Sequence, residues 1–185
     1  MERKYAEFAA TKACELLAID SPSGYTRKAA DWVKEAFSSL DFDAQLTTKG
    51  GVLVNLGGAD EKDALLLEAH TDTLGAMVAE VKANGRLRLT PLGGMRAENA
   101  ETENVRVHTR TGRIIEGTVQ LCNASVHVNG EYSKTQRTFD TLELLLDAKT
   151  HSAAETRALG VDVGDYVAVE PRFNVTETGF IKSRF

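Results

Sequence analysis

The run Leu65-Leu66-Leu67-Glu68-Ala69-His70-Thr71-Asp72-Thr73-Leu74-Gly75 sets an imidazole and a carboxylate two residues apart, directly after an apolar stretch. In extended backbone, residues i and i+2 project to the same side, so His70 and Asp72 share one face at a strand's end. That pairing suits a metal site, because a carboxylate there can orient the imidazole or sit beside the ion it binds. An H-x-D triplet alone equally describes a structural histidine held by hydrogen bonds. Context favours a ligand. Ligands collect at the carboxyl ends of buried strands in α/β sheets, and Gly75 permits close backbone approach. Two more acidic or histidine donors would be needed to hold zinc or cobalt.

The other reactive residues supply no such donors. His108, His127 and His151 fall in a predicted strand, a loop and a helix start, and read as structural or solvent-exposed. Glu68 points to the same side of its strand as His70 and reads as a partly buried carboxylate accepting backbone hydrogen bonds. Gly93-Gly94 and the polar stretch 96–104 make a loop with no phosphate-cradling pattern. Ser21 and Ser23 lack the G-x-S-x-G elbow of a serine nucleophile. Cys14 and Cys122 lie far apart with no C-x-x-C arrangement, and read as buried free thiols.

The elements that must position these residues follow from periodicity. Residues 4–18 carry Tyr5, Phe8, Leu16 and Leu17 at helical spacing until Asp20-Ser21-Pro22-Ser23-Gly24 breaks the pattern. A second helix starts at Thr26, taken as its N-cap, and bears Ala29, Ala30, Val33, Phe37 and Leu40 on one stripe. Strands are expected over 52–56 and 64–69, the second apolar on both faces and therefore central and covered by helices.

After Gly75 the texture changes to short alternating strands. Residues 77–83 and 86–90 flank Asn84-Gly85, a strong hairpin signal, and 105–109 and 113–119 flank Thr111-Gly112. Strands are also expected over 142–146, 166–169 and 180–183. Ser152 with Glu155 forms a capping box for a short helix that Gly160 closes. The resulting fold class is α/β: a layered unit over 1–75 and 166–185, interrupted by a β-rich module over 76–165.

Composition bounds the function. A net charge of -5 over 185 residues argues against a nucleic-acid surface, which needs clustered Lys and Arg. No segment approaches the roughly 20 apolar residues of a membrane span, and no signal-peptide core follows Met1, so a cytoplasmic protein with no membrane partner is expected. The close on Gly179-Phe180-Ile181-Lys182-Ser183-Arg184-Phe185, apolar and without a polar tail, suggests an enzyme cut short.

Several motifs recur together in one family. They are Ser21-Pro22-Ser23-Gly24, His70-Thr71-Asp72-Thr73-Leu74-Gly75-Ala76-Met77-Val78, Leu92-Gly93-Gly94, Leu159-Gly160-Val161-Asp162-Val163-Gly164-Asp165 and Ile181-Lys182-Ser183-Arg184-Phe185. Over essentially its whole length the chain resembles the N-terminal half of the M42 metallo-aminopeptidases, which include tetrahedral and glutamyl aminopeptidases and so-called endoglucanase relatives. The resemblance implies a phosphorylase/hydrolase-like α/β/α peptidase domain, here incomplete, with an inserted PDZ-like β-barrel that drives homo-oligomer formation. It implies two divalent metal ions per complete site, zinc or cobalt, and a short peptide as substrate. By position, His70 resembles the family's first metal ligand and Asp72 the catalytic aspartate that orients it. A bridging aspartate, a Glu-Glu pair, a further carboxylate and a last histidine are expected beyond Phe185.

One histidine cannot activate water at a two-metal centre, which also needs a carboxylate to take the proton. The 185-residue chain alone is therefore expected to be inactive. Thr71 and Thr73 are unlike the more usual flanks of this histidine and suggest a divergent subgroup. Two alternatives remain open at this stage: a non-catalytic assembly or peptide-binding module working through the insert, and a related di-zinc deacylase or carboxypeptidase. The β-rich insert directly after Gly75 argues against the second.

Overall fold

A computed structural model describes residues 3–60 and 62–183. The chain divides into two compact units, one formed by 1–72 with 173–182 and the other by 73–172 with 183–185.

The first unit begins with helix α1 (Arg3–Leu17) and helix α2 (Arg27–Ser38). The Lys12 ammonium sits 5.5 Å from the centre of the Trp32 ring and ties one helix to the other. Ala29 and Ala30 are buried on α2, where small side chains allow close packing, while α1 buries none of its residues. Thr26 precedes α2 as expected, but its backbone is helical (φ -97°, ψ -1°) and its side chain caps no N–H. An N-cap needs extended backbone to turn its oxygen onto the helix end, so the expected cap does not form.

Strands β1 (Ala44–Leu46) and β2 (Val52–Val54) pair antiparallel, with Gln45 opposite Leu53. The segment 64–69 is not a strand in any sheet. Leu65, Leu66 and Leu67 are 84%, 71% and 77% exposed, so the expected central buried strand is corrected. A strand exists only through ladder hydrogen bonds to neighbours, and none of the described strands pairs with this stretch. Apolar composition alone therefore misplaced it, and Glu68 in the same stretch is exposed rather than partly buried.

The second unit is a closed barrel. Its strands are β3 (Gly75–Val81), β4 (Leu87–Leu92), β5 (Asn104–His108), β6 (Ile114–Leu121), β7 (Leu142–Leu146) and β8 (Tyr166–Val169), in the order β3-β4-β7-β6-β5-β8. Alternate residues such as Val105, Val107, Val119, Leu121, Leu144 and Val167 fill the interior, as the period of two requires. The sequence division assigned 166–169 to the α/β unit. Instead β8 pairs with both β3 and β5 and closes the barrel, because without it those two strands would keep open edges.

Gly117 on β6 marks the tightest crossing. A Cβ built there would lie 2.5 Å from the Leu145 carbonyl oxygen, so any side chain there forces the neighbouring backbone to shift. One-turn helix α3 (Ala97–Ala100) lies in the stretch expected to be loop. Helix α4 (Ala153–Ala158) is capped by Ser152, whose hydroxyl accepts from the Glu155 N–H at 3.3 Å. The Glu155 carboxylate accepts from the His151 N–H at 2.6 Å. The Thr156 hydroxyl donates to the Gly85 carbonyl at 2.7 Å and fastens α4 to the β3–β4 hairpin.

The chain then returns to the first unit, where β9 (Asn174–Val175) pairs with β10 (Ile181–Lys182). The terminal motif residues Arg184 and Phe185 lie outside the described residues. Both cysteines are exposed rather than buried. Cys14 rides on a helix with no buried face, and Cys122 directly follows the inward-facing Leu121, so the period of two turns it outward. Among the described residues no helix is long and apolar enough to cross a membrane.

Candidate functional site

The site is built on two segments of the first unit that are far apart in sequence. The turn after α1 is closed by the Tyr25 N–H donating to the Pro22 carbonyl at 2.7 Å, with Gly24 at φ 88°. Proline opens that turn and glycine supplies the positive φ its third position needs. Ser23 is thereby held at the first corner. Its hydroxyl donates a short hydrogen bond to Oδ2 of Asp72, 49 residues further on.

Asp72 Oδ1 lies 3.0 Å from Nδ1 of His70, and the Asp72 backbone carbonyl lies 2.9 Å from the same nitrogen. A carbonyl and an ionised carboxylate can only accept, so the proton of neutral His70 is fixed on Nδ1. Nε2 then carries a bare lone pair, and the imidazole is 78% exposed. The Ser23 hydrogen bond does most to hold the Asp72 pKa below its ordinary value; burial opposes it, and the charge and hydrogen bond of His70 add to the lowering. Asp72 is thus held as the carboxylate that this arrangement requires.

The donor set fits one coordination position of a metal. An imidazole whose other nitrogen is tied to a carboxylate is the usual form of a metal-binding histidine. The described residues contain no group of three or more His, Cys, Asp or Glu side chains able to hold an ion. His108 is buried on β5, while His127 and His151 are exposed in loops of the barrel unit. None of them belongs to the unit that carries His70.

The same geometry rules out a serine nucleophile. A nucleophilic hydroxyl must give its proton to a base such as the imidazole, whereas Ser23 donates to the carboxylate. Ser21 is buried, and its hydroxyl has no hydrogen-bond partner among the described residues. Sequence reading placed His70 and Asp72 together and missed Ser23 as their partner. The Ser-Pro-Ser-Gly turn was visible, but no local pattern reports a contact across 49 residues.

A family model for the M42 glutamyl aminopeptidases matches residues 50–185, and the chain belongs to that family. YhfE of Bacillus subtilis, named as a provisional aminopeptidase, is 38% identical over 170 residues, covering 92% of this chain and 49% of that protein. The chain spans about half the length of the curated relatives it matches. Two solved structures share its fold at 22% identity. One is aminopeptidase APDkam598 of Desulfurococcus kamchatkensis, with a TM-score of 0.78 over 94% of this chain and 46% of that one. The other is the TET1 peptidase of Pyrococcus horikoshii, which can assemble into a tetrahedron or a large octahedral shell, with a TM-score of 0.76 over 94% and 50%.

Proposed function

We propose that the chain carries the histidine side of a two-metal aminopeptidase centre that removes N-terminal residues from short peptides. The observation behind this reading is the commitment of His70 Nδ1 to Asp72, which leaves Nε2 bare and exposed. In this reading His70 is a metal ligand and Asp72 is the residue that orients it. Two divalent ions, zinc or cobalt, would supply a polarised scissile carbonyl and an activated water. His70 contributes one lone pair, Asp72 keeps the imidazole in the required tautomer, and Ser23 engages the other carboxylate oxygen. The described residues contain no group of three or more His, Cys, Asp or Glu side chains able to hold an ion, so the 185-residue chain alone is proposed to be inactive.

The barrel is proposed as the element through which copies of the chain assemble, in the manner the TET1 neighbour suggests. Peptide capture by strand addition finds less support, because each of the six barrel strands already has two neighbours.

Nickel titration followed by NMR tests the ligand assignment on the full chain. The His70 ring signals should broaden at lower metal concentration than those of His127 and His151, which are exposed and belong to the other unit. Equal or earlier broadening at either control histidine removes His70 from the metal site.

A further inference from the structure

The residue left over by the metal reading is Ser23. It sits at the corner of a turn whose backbone is fixed by Pro22 and Gly24, and it reaches the far oxygen of the carboxylate that holds His70. The two oxygens of Asp72 are thereby divided, Oδ2 accepting from the hydroxyl and Oδ1 from the imidazole. We propose that Ser23 is a positioning residue, locking Asp72 so that His70 keeps its proton on Nδ1 and presents Nε2 as a lone pair.

The need for a lock follows from exposure. The side chains of His70 and Asp72 are 78% and 39% exposed, so packing does not hold either of them. An imidazole free in water prefers the proton on Nε2, the form in which that nitrogen cannot bind a metal. The Nδ1–H form must therefore be imposed, and a carboxylate free to rotate imposes it poorly. A hydroxyl donor on Oδ2 removes that rotation. Ser23 and Asp72 lie 49 residues apart, so the same bond pins the turn after α1 to the segment that bears His70.

This inference rests on the metal reading for its purpose but not for its geometry, and the test separates the two. Long-range 1H–15N correlation on the labelled, metal-free 185-residue chain reads the His70 tautomer directly at a pH above the histidine range. Wild type should show Nδ1 protonated. Ser23→Ala should shift the populations towards Nε2–H, although the Asp72 carbonyl at 2.9 Å still accepts from Nδ1, and Ser23→Thr, which keeps the hydroxyl, should restore the wild-type pattern. Amide signals of the barrel and of α2 report whether each variant is folded. Should alanine collapse the turn, Ser23→Cys replaces the hydroxyl with a weaker donor of similar size and should give an intermediate population. A folded Ser23→Ala chain with the wild-type tautomer overturns the proposal.

A nickel titration of the same samples supplies the second arm. Ser23→Ala should need roughly tenfold more metal to broaden His70, the lower end of what losing an outer partner of a ligand costs. If Ser23→Ala shifts the tautomer while wild-type His70 ignores nickel, the metal reading falls and the positioning role stands. If His70 binds nickel equally well with and without Ser23, the role assigned to Ser23 falls and the metal reading stands.

Discussion

Glu143 is buried in the barrel wall on β7, and the Lys82 ammonium meets its Oε2 at 2.8 Å from the end of the β3 strand. Arg86, across the hairpin turn from Lys82, takes the other oxygen. Desolvating a carboxylate is costly unless opposite charges and hydrogen bonds offset it, so removing partners from this group should not be symmetric. The double change Lys82→Met with Arg86→Met leaves a buried carboxylate without a countercharge and should cost about 3–5 kcal/mol. Glu143→Met should cost much less, because the freed cations can turn into water. Urea denaturation of the barrel signal checks the difference, and equal losses would contradict the argument.

The same cluster carries a pH dependence. Hydrogen bonding to Glu143 raises the Lys82 pKa most, with charge attraction adding to it and burial opposing it. A folded-state pKa raised above the unfolded value gives stability that is fully present below the unfolded value. It is lost as pH rises through the folded one. The barrel should therefore weaken above about pH 10.4, the ordinary lysine range, and Lys82→Met should flatten that part of the profile. Unfolding midpoints measured across the alkaline range decide this, and identical slopes in the two proteins would refute it.

Gly117 and Gly112 separate two reasons for glycine. Gly117→Ala places a methyl group against the backbone of β7, 2.5 Å from the Leu145 oxygen, so the β6–β7 seam must spread. A cost of about 2–3 kcal/mol is expected from such overpacking. Gly112 has open space around its Cβ position but φ 82°, so alanine there meets only backbone strain of about 1 kcal/mol. Thermal melts should rank the two in that order.

The hairpins show how far the sequence could be read. Asn84-Gly85 signalled the β3–β4 turn correctly, yet only Gly85 has positive φ, and the Lys82 N–H bonds to the Arg86 carbonyl. The turn is thus a three-residue loop with glycine at its end rather than a two-residue one. Identical bonds close the turns at Thr47–Gly51, Thr109–Arg113 and Thr176–Phe180, and in each the threonine Oγ1 accepts from the N–H four residues on. That T-x-x-G pattern would have located β1 and β9, which hydrophobic alternation missed because strands of two or three residues are too short to show a period. The opposite failure befell 64–69. Its composition is that of a strand, but pairing is a property of neighbours and is not written in the segment itself. His70 and Asp72 were legible because their relation is local, and Ser23 was not because its relation is distant.

Removing the orienting carboxylate gives a further test of the site. Asp72→Ala frees the His70 ring and should weaken nickel binding at that ring by about 10–100-fold, the range seen when a ligand loses its partner. Asp72→Glu moves the carboxylate outward by one methylene and should recover only part of the loss. Ring broadening at His70 in each variant provides the measurement. Undiminished binding in Asp72→Ala would show that Nδ1 needs no partner here.

The leucines of 65–67 predict how the chain behaves in solution. They are mostly exposed and contiguous, and exposed apolar patches of this kind drive association. In extended backbone Leu65 and Leu67 project to one side and Leu66 to the other, so single changes to lysine report which side is buried when copies meet. Sedimentation of the 185-residue chain should show a mass that rises with concentration. Leu65→Lys with Leu67→Lys should lower it if one face is used, and adding Leu66→Lys should lower it further if both are. Association that survives all three changes runs through the barrel instead, as the assembly proposal requires. A mass independent of concentration in the unaltered chain would count against both routes.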